Sequence, residues 1–207
     1  TESDADGNTS TYEYDVLGNL SKMTDANGHS SSYGYDANKK LVLYTDPNGQ
    51  ATAFKYDPLG RIIETVAPTG SKQSFSYDAL GNRLSETSGE GHTTTYSYDS
   101  MNRVSSKKRP TGGETQYAYD TTGSLAKETD ANGHSTNYVN DLYGRVTKRT
   151  LPNEAAYTYA YDALGRLTKQ TGPQGLSKTY SYDVSGNLVQ ETDQSNLSNH
   201  YSYDKVG

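Results

Sequence analysis

The chain has 207 residues, 31% of them hydrophobic, with 20 Tyr and neither Trp nor Cys; 25 acidic against 19 basic residues leave a formal charge of −6. Ordinary globular domains hold roughly 45–50% apolar residues, so no thick core is expected, while regularly spaced aromatics argue against a disordered chain. The charge balance lacks the basic stripe of a nucleic-acid binder; no apolar run approaches the ~20 residues of a membrane-spanning helix; and the absence of Cys removes disulfide and thiolate chemistry.

One aspartate organises the rest. Asp15, Asp36, Asp57, Asp78, Asp99, Asp120, Asp141, Asp162, Asp183 and Asp204 stand 21 residues apart, with no insertion or deletion between them. Such a period sets the architecture before any local propensity does. Positions below are counted from this aspartate.

Each unit opens with a strand. An aromatic stands at −3 in Tyr12, Tyr33, Phe54, Phe75, Tyr96, Tyr117, Tyr138, Tyr159, Tyr180 and Tyr201. Tyr stands at −1 in Tyr14, Tyr35, Tyr56, Tyr77, Tyr98, Tyr119, Tyr161, Tyr182 and Tyr203, with Asn140 as the exception. Alternate strand residues share a face, so each unit sets two rings side by side. A tight turn follows. Gly stands at +3 in Gly18, Gly60, Gly81, Gly123, Gly144, Gly165, Gly186 and Gly207, supplying positive φ without steric cost. The aspartate side chain can bond back to the turn amides. Lys39 and Asn102 replace this glycine, and Lys39 predicts a strained or altered turn.

The second strand starts on an aliphatic at +5, from Leu20 and Leu41 to Leu188, with Arg83 departing beside Leu84. It ends on a threonine at +9, from Thr24 to Thr192, with Val66 and Lys108 as exceptions. Period-two spacing from +5 to +9 predicts a short strand with these two columns on one face. Then comes Asp25-Ala26-Asn27-Gly28, echoed by Asp46-Pro47-Asn48-Gly49 and Asp130-Ala131-Asn132-Gly133; Asn-Gly is a strong hairpin signal. Gly fills +13 from Gly7 onward except at Glu154 and Asn196, and the two glycine columns hold 16 of the 20 glycines. The basic run Lys107-Lys108-Arg109 reads as a solvated strand end.

The expected fold is therefore all-β: tandem 21-residue β-hairpin repeats in one continuous antiparallel sheet. Sheet twist should coil it into a spiral or an open curved shell. Equivalent columns would then form a ladder of Tyr rings and a ladder of Thr hydroxyls, each cross-strand pair contributing roughly 0.2–1 kcal/mol. Residues 1–207 read as a single array of about ten repeats, partial at both ends, with no signal peptide at its start. It is expected to be a fragment of a longer array whose sheet edges invite pairing.

Candidate chemistry weakens against this background. Asp25, Asn27, Asp46, Asn48, Asp130 and Asn132 are oxygen donors of the type calcium takes, but the further alternating ligands and the bidentate Glu of a calcium loop are missing. Glycosidases need two carboxylates in different environments, whereas the repeat aspartates are equivalent. His29, His92 and His134 share a column just past a turn, and His200 lies outside it. No Walker loop or dinucleotide fingerprint occurs. The Tyr ladder has two readings: packing along the sheet, or exposed rings stacking on glycans. Its regularity favours packing, with a local packing defect where Asn140 replaces Tyr.

The pattern Tyr-x-Tyr-Asp-x-x-Gly-Arg/Asn-Leu followed by Thr-Asp-x-Asn-Gly resembles the YD-repeat, or Rhs (rearrangement hot spot), family. Tyr159 to Leu167 is close to its ideal unit, and the resemblance runs through essentially the whole chain. It implies a structural repeat module like the shell-forming repeats of bacterial Rhs and toxin-complex proteins and of teneurins. Those bacterial proteins are large and exported or surface-borne, and their repeats build a spiralling β-sheet shell that can enclose a C-terminal toxin. The implied partners are adjacent repeats and an enclosed toxin domain; the alternative is a carbohydrate-binding or cell-adhesion repeat array that meets glycans with exposed Tyr rings. The implied location is secreted or at the bacterial cell surface. No cofactor is implied. The family's self-cleaving core region has no match here, and no catalytic residue set is expected.

Overall fold

A computed structural model describes residues 1–3 and 9–204; Gly7 and Gly207, which enter the glycine columns, lie outside them. The chain divides into two units, residues 1–102 with 109–111, and residues 103–108 with 112–207. In the first, strands run from Glu2–Ser3 and Thr9–Tyr14 to Thr93–Tyr98; in the second, from Val104–Lys108 to Ser198–His200. Both units are antiparallel meanders, each described strand pairing with its neighbour in sequence.

Repeats contribute a six-residue strand ending on the −1 position and a five-residue one starting at +5, as in Thr9–Tyr14 and Leu20–Thr24, with Leu188–Asp193 extended to six residues. The first hairpin carries a bulge. Tyr117 faces Glu128 and Ala118 faces Lys127, but Tyr119 faces Leu125, so Ala126 is skipped. The same shift recurs at Tyr14, Tyr35, Tyr56, Tyr77, Asn140, Tyr161 and Tyr182. A bulge turns the strand by one residue. Positions +5 and +8 therefore join the Tyr face, while +7 and +9 lie on the other. This corrects the expected period-two strand: the aliphatic and the threonine stand on opposite faces.

Both turns are one structure. In the first, the Gly18 amide donates to the Asp15 carbonyl at 3.0 Å and the Asp15 amide to the Asn19 carbonyl at 2.8 Å. In the second, Gly28 and Asp25 repeat this at 3.0 and 2.9 Å, with Asp25 donating to His29. This is a three-residue loop closed by a left-handed glycine. Positive φ falls on Gly28, at 83°, and its neighbour Asn27 does not share it. Lys39 keeps the same bonds at φ 63°, so its turn is strained but not altered. All six prolines — Pro47, Pro58, Pro68, Pro110, Pro152 and Pro173 — occupy the residue after a turn's first position, where a fixed φ near −65° suits the chain. One turn departs. Gly172 replaces the aspartate, Pro173–Gly175 forms a 3-10 turn, and Gln174 takes φ 61°.

Among the described residues none is buried. Strand Thr93–Tyr98 shows why: Thr94, Tyr96 and Tyr98 are half-buried, and Thr93, Thr95 and Ser97 are exposed. The sheet has a half-covered Tyr face and an open polar face.

Candidate functional site

The repeat residues converge at the row of first turns. The Asp57 Oδ1 accepts from the Leu59 and Arg61 amides at 3.0 and 2.9 Å, and Oδ2 accepts from the Arg61 Nε at 2.7 Å. Asp15 and Asp78 do the same with the amides and the side-chain nitrogens of Asn19 and Asn82. Asp99 accepts from the Met101 amide and Asp36 from Asn38 and Lys40. Donors from the residue four positions on hold Asp15, Asp57, Asp78, Asp141, Asp162 and Asp183 below the ordinary 3.8. The Thr122 hydroxyl and then the Asn140 amide lower Asp120 furthest, to about 2.

From this anchor the +4 side chain reaches the next repeat. Arg61 lies 4.8 Å from the Tyr77 ring and donates to the Asp78 carbonyl at 2.7 Å. Arg166 repeats both contacts with Tyr182 and Asp183, at 4.8 and 3.1 Å. Arg103, Arg145 and Lys40 cover Tyr119, Tyr161 and Tyr56 in the same way. Each such ring over a guanidinium is worth about 0.5–1 kcal/mol where exposed.

The −1 tyrosine returns the grip. Its hydroxyl donates to the +5 carbonyl of the repeat before: Tyr56 to Leu41, Tyr77 to Ile62, Tyr98 to Arg83, Tyr119 to Val104, Tyr161 to Val146 and Tyr182 to Leu167, at 2.7 to 2.9 Å. The reason lies in the ladder. The second hairpin pairs only three residues, as in Lys127–Asn137, Glu128–Thr136 and Thr129–Ser135, which leaves the Leu125 carbonyl without a strand partner. Asn140 fills that place with its amide, 2.9 Å from Leu125 and 3.1 Å from Asp120 Oδ2. It thus keeps the hydrogen bond and forfeits the ring. Tyr35 makes no such bond, and Tyr14 is 63% exposed.

The −3 rings meet both rings and cations of neighbouring strands. Tyr33 meets the +8 ring of Tyr44 at 5.4 Å. Elsewhere cations enter the face: Arg83 lies 5.3 Å from Tyr96 and 5.8 Å from Phe75. Arg83, the departure from the aliphatic column, is thereby absorbed, and Leu84 sits on the bulge. The threonine column bonds across its own turn, Thr24 to Ser30 and Thr87 to Thr93, both at 2.8 Å.

His29 and His134 place Nδ1 3.2 and 3.3 Å from Asp25 and Asp130 of their own turns. Among the described residues no group of His, Asp and Glu could hold a metal ion, and no helix is long and apolar enough to cross a membrane. Two columns escaped the sequence reading. The +4 residue was visible as the Arg/Asn of the signature, and its alternation of Arg, Lys and Asn already pointed to a donor for the aspartate. The +2 residue was visible as a leucine before the glycine; Leu59, Leu80 and Leu164 are 72, 75 and 78% exposed there.

The RHS repeat profile matches residues 1–30, 35–72, 77–114, 141–177 and 161–196. The chain belongs to the RHS repeat family. Its fold is shared with the crystal structure of TcdB2-TccC3-TEV at TM-score 0.76 and 17% identity, over 97% of this chain and 12% of that one. TcdB2-TccC3 without its hypervariable C-terminal region gives 0.62 at 14% identity, over 97% and 13%. TcdB2-TccC3 itself gives 0.58 at 14%, over 91% and 13%. The chain thus spans about an eighth of the length of these structural neighbours. No curated protein matches it. Family and fold make it a structural repeat module.

Proposed function

We propose that this RHS repeat module is a segment of the β-sheet wall of a bacterial exported shell of the Rhs type, secreted or held at the cell surface, and without catalysis of its own. The observation that carries the reading is the absence of any buried residue among those described. A sheet held by contacts from each repeat to the next, and not by a core, suits a wall one sheet thick. The site residues are proposed as structural: Tyr12, Tyr14, Asp15 and Gly18 of the first repeat, and their equivalents through Tyr180, Tyr182, Asp183 and Gly186, close turns and join repeats. The two units would then be parts of one array. The similarity to TcdB2-TccC3, one form of which is described as lacking a hypervariable C-terminal region, supports an enclosed C-terminal cargo as the partner.

Electron microscopy of the full protein that carries this chain tests the proposal. A hollow particle with a wall one sheet thick is expected. A solid particle, with the repeats packed face to face, would overturn it.

A further inference from the structure

Three departures from the repeat meet at one place in the second unit. Gly172 is the one glycine of the +10 column, and Tyr157 is the one aromatic of the −5 column. Between Gly172 and Leu176 lies the turn that departs from the rest, with Gln174 held at φ 61°. The departures fit one another: a Cβ on Gly172 would stand 3.4 Å from the Tyr157 ring, so glycine lets the ring lie against the turn. Together they open a hollow of about 370 Å³ between this turn and the next one of its row, at Asp193. That is within the range of roughly 300–1,000 Å³ of small-molecule sites. Tyr157, Pro173 and Leu176 form its apolar wall, and Leu176 is left 50% exposed. Its polar side lacks partners. In the turns of Asp25 and Asp130 the second carboxylate oxygen meets a histidine four residues on. In the turn of Asp193 that residue is Leu197, whose side chain has no donor. The Asp193 Oδ1 accepts from the Ser195 and Leu197 amides at 2.8 and 3.0 Å, and Oδ2 takes no donor among the described residues. The side-chain amides of Gln170 and Gln194, which also line the hollow, are without a partner among the described residues. The Lys178 ammonium at the rim is taken by Glu191. Half-buried Asp193 is thus the uncompensated charge of the lining, and a carboxylate oxygen in that position is stabilised by a donor that reaches it.

We propose that this hollow binds a small primary amine carried on an apolar stem. The ammonium donates to Asp193 Oδ2 and to the carboxamide oxygens of Gln170 and Gln194, and the stem lies against Tyr157, Pro173 and Leu176. Arg149 already stands 4.9 Å from the centre of the Tyr157 ring, so the ring serves the stem and not the charge. A primary ammonium is charged at neutral pH, as lysine is with an ordinary value of about 10.4. A carboxylate on the same stem would be repelled by Asp193, and an alcohol would leave the carboxylate without its counter-charge. The site arises from a break in the array and does not depend on the wall reading.

An NMR titration of the 207-residue chain with phenethylamine, phenethyl alcohol and phenylacetate tests the proposal, since the three put a positive, a neutral and a negative head on one ring. Phenethylamine is expected to bind at least fivefold more tightly than the alcohol and to shift the amide signals of Gly172, Leu176 and Asp193, while phenylacetate does not bind. Asp193→Asn keeps an oxygen for the turn amides and should weaken amine binding at least fivefold, with the alcohol changed less than twofold. Asp130→Asn, the same substitution in another turn of this unit, should change neither. Gly172→Ala narrows the hollow at an ordinary φ of −92°. It should weaken amine and alcohol alike by at least threefold, and it stands in if Asp193→Asn fails to fold. No amine binding, equal affinity for the three heads, or equal losses in the two aspartate variants would overturn the site. So would tighter binding of Nα-acetyl-lysine methylamide than of phenethylamine, which would give the hollow to a lysine side chain of a protein partner.

Discussion

The two rows of turns have the same backbone and different reach. In the first row, the carboxylate of Asp57 or Asp162 orients an arginine that touches the ring and the carbonyl of the next repeat. In the second row, the carboxylates of Asp25, Asp46, Asp130 and Asp193 bond within their own turns. The starting residue of the second row varies accordingly: Ala67, Ser88, Leu151 and Gly172 all serve. Where two second turns do approach, glycine makes the room, since a Cβ on Gly89 would collide with the Ser71 hydroxyl. Identical turns are thus constrained to different degrees, according to whether their side chains couple repeats or only close a hairpin.

The largest effect should come from the −1 ring itself. Tyr98 donates to the Arg83 carbonyl at 2.9 Å, and burial raises its phenol above the ordinary value of 10.0. Fully buried aromatics cost about 3–5 kcal/mol on truncation. For this half-buried ring Tyr98→Ala should cost about 2–3 kcal/mol, and Tyr98→Phe, which loses one hydrogen bond, about 1 kcal/mol. Urea unfolding measures both. Equal costs would mean that the ring contributes nothing beyond its hydroxyl.

Next, Asp162→Ala should lower the melting temperature at least twice as much as Asp130→Ala. Each loses a turn carboxylate, but only Asp162 positions an arginine that reaches the following repeat. Equal shifts would remove the distinction between the two rows.

Most of this fold was legible because the period is unbroken, so each column averages out local noise. The Asp-x-x-Gly turn, the aspartate bonding back to turn amides and the short strands could all be read from residues at fixed offsets. The bulge could not, because its skipped residue, Ser21 in one repeat and Ile63 or Ala126 in others, has no chemical signature. Without the bulge the faces of +5 and +9 are mis-assigned. The inter-repeat grip was hidden for a related reason. It joins residues 15 to 17 positions apart, and its tyrosine bonds exist because the second hairpin stops pairing early, which no single column displays. Asn140 shows the cost of this gap: the loss of the ring is legible in the sequence, whereas the amide that takes the place of the hydroxyl is not.

Acid should unfasten the first row. A carboxylate whose folded value is lowered stabilises the fold fully above its unfolded value of 3.8, and that contribution is lost as pH falls toward the folded value. For Asp120 that window runs from 3.8 down to about 2, and Asp141, Asp162 and Asp183 begin their loss at the same upper limit. The melting temperature should hold steady from pH 7 to 5 and decline from pH 4 to 2. An Asp120→Asn variant should decline less. A flat profile to pH 2 would show that the aspartates titrate alike in the folded and unfolded chain.

The smallest effects test the same contrast through backbone strain. Lys39, in a first turn, and Glu154, in a second, hold φ at 63° and 62°, a conformation costing a side-chain-bearing residue about 1–2 kcal/mol. Glycine relieves that strain and loses part of the gain to the freedom of the unfolded chain. Glu154→Gly should therefore stabilise by about 0.5–1 kcal/mol. Lys39→Gly relieves the same strain but removes the Nζ bond to the Leu17 carbonyl of the preceding repeat, at 3.0 Å. Its gain should be smaller and close to zero. The difference between the two, read from paired unfolding curves, isolates what a side chain in the first row does for its neighbour. A larger gain for Lys39→Gly would mean that this lysine only fills a glycine's place, and that coupling between repeats rests on the arginines and tyrosines alone.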